Sequence, residues 1–177
     1  MNEVVESVRH WLQAFVIDLN LCPFAKRELM KERVRFAVTN TTSTEILLSR
    51  LLEEIQLLET ESDIETTLLI PPEVLQDFDA YNQFLDLVDA LLDQEGFAGV
   101  FQVASFHPEY QFADTQFSDA ENYSNRSPFP LLHILREASV EREVSNYPDI
   151  NEVPLRNIER LREMGVDRLR AILHKEP

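Results

Sequence analysis

Residues 66–72 read TTLLIPP, a compact apolar run that is closed by two prolines. A short apolar run bounded by a turn signal is typical of a buried strand. Residues 34–38 read VRFAV and alternate in polarity, and residues 100–106 form a third short apolar run. The sequence therefore predicts three strands, separated by connections long enough to hold helices.

Helical periodicity fills both connections. Thr42-x-x-Glu45 is a capping box that opens one helix, and Gly96 ends a second helix that starts near Phe78. The resulting β-α-β-α-β order predicts an α/β fold: a small sheet of parallel strands covered by helices. An α+β ferredoxin-like arrangement is the alternative.

Further helices flank this unit. Apolar residues at helical spacing predict a first helix over residues 4–19, and a fourth helix is predicted from about Pro130 to Arg142. Two C-terminal helices, 154–164 and 167–173, are separated by Gly165. With no linker, repeat or low-complexity tract, residues 1–177 are expected to form a single domain.

Composition excludes several classes of partner. The 177 residues carry a net charge of −16, which opposes binding to phosphate backbones, so we expect no nucleic-acid partner. No apolar run approaches the roughly 18 residues that would span a bilayer, so no membrane association is expected. The start lacks a basic segment followed by an apolar run, and the chain has one cysteine, so a cytoplasmic location is expected. Oligomeric state is not predictable from these features.

Between the third strand and the fourth helix, residues 107–129 lose all periodicity. This stretch is too long for a routine connector and is rich in aromatic residues, which predicts an ordered, functional loop. His107 follows the end of a strand, where ligands collect in open α/β sheets. We therefore expect His107 to act as a general acid or base, oriented by Glu109 or Asp119, with His133 nearby.

The end of the loop is suited to an anion. Free N–H groups at a helix N-terminus near Pro130 would support a guanidinium in binding a carboxylate or phosphate. The sequence therefore predicts a small anionic substrate, held by polar residues of the loop and the following helix: Asn122, Asn125, Arg126, Ser127 and Arg136.

Metal and thiol chemistry are less favoured. His107 and His133 with Asp119 or Glu121 form a usable ligand set, but no compact metal motif is present and a neighbouring arginine opposes a cation. We expect no metal and no cofactor. Cys22 lies beside apolar residues just past a helix end, which predicts a packing role.

Several segments resemble a known family. LCPFA at 21–25, the run from Gln102 to Phe112, NYSNRSPFP at 122–130 and the run from His133 to Val140 are similar to the bacterial domain of unknown function 1415. The similarity runs nearly end to end. It implies an uncharacterised bacterial protein and no particular activity.

Two functions remain open at this stage. The first is an enzyme that acts on a small anionic molecule by histidine acid–base chemistry. The alternative is a non-catalytic module that uses the same loop to bind a metabolite or a protein.

Overall fold

The computed structural model describes residues 2–147 and 149–173. Met1, Pro148 and residues 174–177 lie outside the described residues, and the single domain over 1–177 stays a prediction. The architecture is mixed α/β with an open sheet. Its strands are β1 (Val34–Val38), β2 (Thr66–Ile70), β3 (Phe101–Phe106) and β4 (Leu131–Arg136).

Helices fill the remaining segments. A π-helix (Leu12–Ile17) continues from the first α-helix, and short 3-10 helices cover Ala120–Asn125 and Ile150–Glu152. The α-helices are α1 (Asn2–Trp11), α2 (Ala25–Met30), α3 (Thr44–Thr60), α4 (Phe78–Gln94), α5 (Glu137–Asn146), α6 (Val153–Met164) and α7 (Val166–Leu173).

The sheet has the strand order β1-β2-β4-β3. β1 pairs with β2 in parallel, and β4 pairs antiparallel with both β2 and β3. The first three strands therefore run in one direction, as the β-α-β-α-β order predicts. β4 lies between β2 and β3 and runs in the opposite direction. The predicted α/β class is confirmed, and the ferredoxin-like alternative is compatible with the same mixed sheet.

The predicted fourth helix is wrong over its first half. Leu131–Arg136 is a strand, and the helix begins only at Glu137. Because this strand is central and has apolar residues on both faces, LLHILR shows no clear alternation of polarity that would separate a strand from a helix. No helix N-terminus therefore exists near Pro130, which removes the dipole from the predicted anion site.

Two other helix boundaries differ from the predictions. The N-terminal helix changes at Leu12 into a π-helix, in which Asp18 N–H donates to Gln13 O at 2.9 Å. The helix predicted to begin at the Thr42 capping box is α3, and it is capped one residue later, because Ser43 Oγ accepts from Ile46 N–H at 3.3 Å. The C-terminal pair of helices is confirmed, with Gly165 between them at φ 76°.

Each face of the sheet packs against a different set of helices. α3 and α4 bury leucines and aromatic residues against one face, together with Leu132 and Ile134 of β4. The other face packs against α1, the π-helix, α6 and α7. Leu131 of β4 contributes to this second core. No helix within the described residues is both long and apolar enough to cross a membrane.

The core position of β4 gives a stability prediction. Leu132 is fully buried, so Leu132→Ala should lower the free energy of unfolding by about 2–5 kcal/mol, the range for a leucine truncated in a packed core. Leu87→Ala on the exposed side of α4, where the leucine is 52% exposed, should change it by less than about 0.5 kcal/mol. Urea denaturation measures both. Equal losses would contradict the central placement of β4.

Candidate functional site

His107, predicted to be the general acid or base, lies fully buried after β3. Its Nε2 donates to Leu75 O at 3.0 Å, and its Nδ1 accepts from Glu109 N–H at 3.0 Å. Burial lowers the pKa of the ring below its ordinary value of 6.5. Both ring nitrogens are thus occupied by the backbone, and the ring packs against Phe78 and Tyr81 of α4.

The carboxylates of Glu109 and Asp119, which were expected to orient His107, make no hydrogen bond to its ring among the described residues. Glu109 is exposed and approaches the ring with its backbone N–H. Asp119 accepts from Gln116 N–H at 2.8 Å and so closes a turn of the loop. A catalytic role for His107 stays a prediction, and this geometry favours a ring that fastens the loop to the segment before α4.

Arg126, predicted to bind the anion, is only 4% exposed. Its Nε donates to Tyr110 O at 3.2 Å and its Nη2 to Phe117 O at 2.7 Å. The guanidinium lies 4.4 Å from the ring centroids of both Phe117 and Tyr123. Arg126 therefore holds the loop through carbonyls and aromatic faces.

The other predicted anion ligands are also engaged within the protein. Asn122 accepts from Phe112 N–H at 2.9 Å, and Asn125 donates to Ser105 O at 3.1 Å. Ser127 donates to Phe129 O at 2.6 Å. Arg136 donates from Nη2 to the carbonyls of Leu58, Glu61 and Ile64, at the end of α3 and just beyond it.

The structure separates the two histidines that the sequence places together. His107 packs against α4, whereas His133 points from β4 to the opposite face, where its ring centroid lies 6.2 Å from that of Phe106. Neither of the two cavities described below is lined by His107 or Arg126. The predicted constellation of His107, His133 and Arg126 is therefore not a shared pocket.

A cavity lies on the His133 face of the sheet, and we call it the chamber. It has a volume of about 330 Å³ and is lined almost entirely by carbon atoms. Leu68, Ala104 and Leu135 form its floor, and Trp11, Phe24 and Val140 belong to its walls, on or beside α1, α2 and α5.

His133 stands in the middle of this floor. In the strand register it is opposite Leu68 of β2 on one side and Ala104 of β3 on the other. Its Nε2 lies 2.7 Å from Thr66 Oγ1. Burial lowers the pKa of His133 to about 4, so the ring is neutral at pH 7.

Charged side chains mark the side on which the chamber meets solvent. Arg27 makes a two-pronged contact with Glu143, at 3.1 and 2.5 Å, and so joins α2 to α5. Arg33 pairs with Glu65 at 2.5 Å, and Arg142 lies 3.8 Å from the same carboxylate. Arg27 holds the pKa of Glu143 below its usual value, so this carboxylate is ionised at pH 7 and neutralises the guanidinium that it contacts. This rim is not an unpaired cationic site.

A second cavity of about 490 Å³ lies between the loop and α6. Val16, Cys22 and Phe106 line both cavities, so they form the wall between them. Cys22 is half-buried there, and its packing role stays a prediction. Among residues 2–147 and 149–173, no three His, Cys, Asp or Glu side chains stand close enough to hold a metal ion.

The comparison with protein families matches residues 3–171 to a family described as a protein of unknown function, DUF1415. The chain belongs to DUF1415. No curated protein and no solved structure matches it. The DUF1415 segments quoted above supply Cys22, Phe24, Ala104 and His133 to the chamber, which lies outside the loop where the sequence placed the site.

The chamber residues of this DUF1415 protein had only a weak signal in the sequence. Thr66 and Leu68 are ordinary strand residues until β4 is placed beside β2. The sequence indicates His133 as a catalytic residue near His107, on a predicted helix. The alternation of Leu131, His133 and Leu135 on one face was the available clue.

Replacing Arg126 tests whether it is structural. Arg126→Ala should lower the free energy of unfolding by about 2–3 kcal/mol, because two loop carbonyls lose a charged donor. The exposed Arg156→Ala on α6 is the control and should change it little. Phosphate and sulfate should not stabilise the parent protein. Anion stabilisation in the parent that disappears in a normally stable Arg126→Ala variant would restore the predicted anion site.

The lowered pKa values of His107 and His133 also predict how stability depends on pH. Their folded pKa values lie below 6.5, about 4 for His133, so the unfolded chain binds more protons as the pH falls below 6.5. The free energy of unfolding should therefore decrease from pH 6.5 towards 5, by up to about 1.4 kcal/mol per pH unit for each ring. Urea denaturation across this window should show a shallower decrease for His133→Gln. Identical slopes would contradict the lowered pKa of His133.

Proposed function

We propose that the chamber binds a small, largely apolar molecule and that this binding is the function of the protein. The observation that carries the proposal is a carbon-lined cavity of about 330 Å³ with an imidazole at the centre of its floor. Ligand pockets have volumes of about 300–1,000 Å³ and combine apolar walls with few polar groups. A dry cavity of about 150 Å³ already binds benzene, so this chamber has room for a substituted ring.

Binding is better supported than acid–base catalysis on an anion. Arg126 and Arg136 donate to backbone carbonyls, and the arginines at the rim pair with glutamates. A ring with a pKa of about 4 is a weak base at neutral pH, whereas efficient general bases have pKa values near the working pH. We therefore favour the non-catalytic, metabolite-binding alternative over the enzyme with an anionic substrate.

The chain carries its own reporter for this binding. Trp11 is its one tryptophan, lines the chamber and is 3% exposed, so its fluorescence responds to a ligand placed beside it. Its indole N–H donates to Arg126 O at 2.9 Å, which fixes the ring against the loop.

Titration with 4-propylphenol, a ring of suitable size, tests the proposal. It should change Trp11 fluorescence saturably and raise the melting temperature, since a ligand that binds the folded state stabilises it. Ala104→Phe fills the floor of the chamber and should abolish the saturable change.

Ala138→Phe is the matched control, because Ala138 is exposed on α5 and does not line the chamber. It should bind like the parent. A parent protein with no saturable change, or an Ala104→Phe variant that binds as well as the parent, would refute a ligand site in the chamber.

A further inference from the structure

Thr66 lies beside His133 in the lining of the chamber. Thr66 is 6% exposed, and its hydroxyl lies 2.6 Å from Ile134 O and 2.7 Å from His133 Nε2. A hydroxyl has one proton to donate, and a carbonyl oxygen can only accept. The hydroxyl of Thr66 therefore donates its hydrogen bond to Ile134 O.

The state of the imidazole follows from this arrangement. Since Thr66 Oγ1 has no second proton, its 2.7 Å contact with His133 Nε2 is a hydrogen bond in which the imidazole N–H donates and Thr66 Oγ1 accepts. Nε2 thus carries the proton of the neutral ring. The other nitrogen, Nδ1, keeps a lone pair, and among the described residues no hydrogen-bond donor reaches it.

We infer that Thr66 makes the chamber selective for apolar molecules with an O–H or N–H donor, such as phenols, by holding His133 with its Nδ1 unprotonated. The inference rests on the proposed function, because it names the class of ligand for the same site. A phenolic O–H replaces its bond to water with a bond to Nδ1. An ether or ketone has no proton to donate. Its oxygen and Nδ1 are then two acceptors that lie without a hydrogen bond in a carbon-lined space.

The strand register makes this tautomer a fixed property of the sheet. Thr66 is opposite Leu135, and His133 is opposite Leu68, so the two side chains are diagonal neighbours on one face. Thr67, the next residue, points to the other face, is fully buried and does not line the chamber. The chain therefore offers a matched pair of threonines, with one beside the chamber and one on the opposite face.

The experiment compares 4-propylphenol with 4-propylanisole, which lacks the donor, by Trp11 fluorescence. The parent should bind the phenol about tenfold more tightly, the effect of one hydrogen bond of about 1.4 kcal/mol. Thr66→Val should reduce this ratio towards one because the valine no longer fixes the tautomer. Thr66→Ser keeps the hydroxyl and should show the same ratio as the parent. Thr67→Val should also show the parent's ratio.

A second measurement uses only the parent protein, so it does not depend on the folding of any variant. The ¹⁵N spectrum of the parent should show an unprotonated Nδ1 and a protonated Nε2 for His133 at pH 7. A protonated Nδ1, or equal affinity of the parent for both compounds, would overturn the inference while leaving the binding site intact. Binding of neither compound would instead overturn the proposed function on which the inference rests.

Discussion

The hydrogen bonds that β4 makes with both of its neighbours hold the sheet together. Leu131–Arg136 pairs with β2 over four residues and with β3 over six. Without it, β3 has no partner, because β1 pairs with β2 alone. The same pairing brings Leu132 and Ile134 to the α3 and α4 side and His133 to the other. The placement of both cores, and of the candidate site, thus depends on this strand.

The two faces of the sheet are covered to different extents. α3 and α4 each bury an apolar stripe against their face. On the other face, α5 has no buried residue and is joined to α2 by the contact between Arg27 and Glu143 and by the edge-on packing of Phe24 against Tyr147. A cavity remains on this face beneath α2 and α5 because little of their surface packs closely against the strands.

Part of the fold could be predicted because its signals are local. TTLLIPP and the helices on either side of it are specified by short-range patterns, and Gly165 separates the last two helices as expected. The strand character of LLHILR could not be predicted, since its apolar residues face two cores and its alternation appears only once its neighbours are known.

The site was harder to predict than the fold for a related reason. The loop from His107 to Phe129 contains the residues that usually carry chemistry, but a long ordered loop also has many backbone groups to satisfy. Asn122, Arg126 and His107 satisfy those groups. His133 differs because its ring lines a cavity and its Nε2 contacts the hydroxyl of a tertiary neighbour, Thr66.

The most direct test of the account is methyl NMR of the protein during titration with 4-propylphenol. The ligand should lie on the His133 face, so shifts should be confined to methyl groups that line the chamber, such as those of Leu68, Leu135 and Val140. Leu51 and Val88, which pack in the core on the opposite face, should not move. Shifts centred on Ile158 in the second cavity, or on the opposite core, would contradict the claim that the chamber is the binding site.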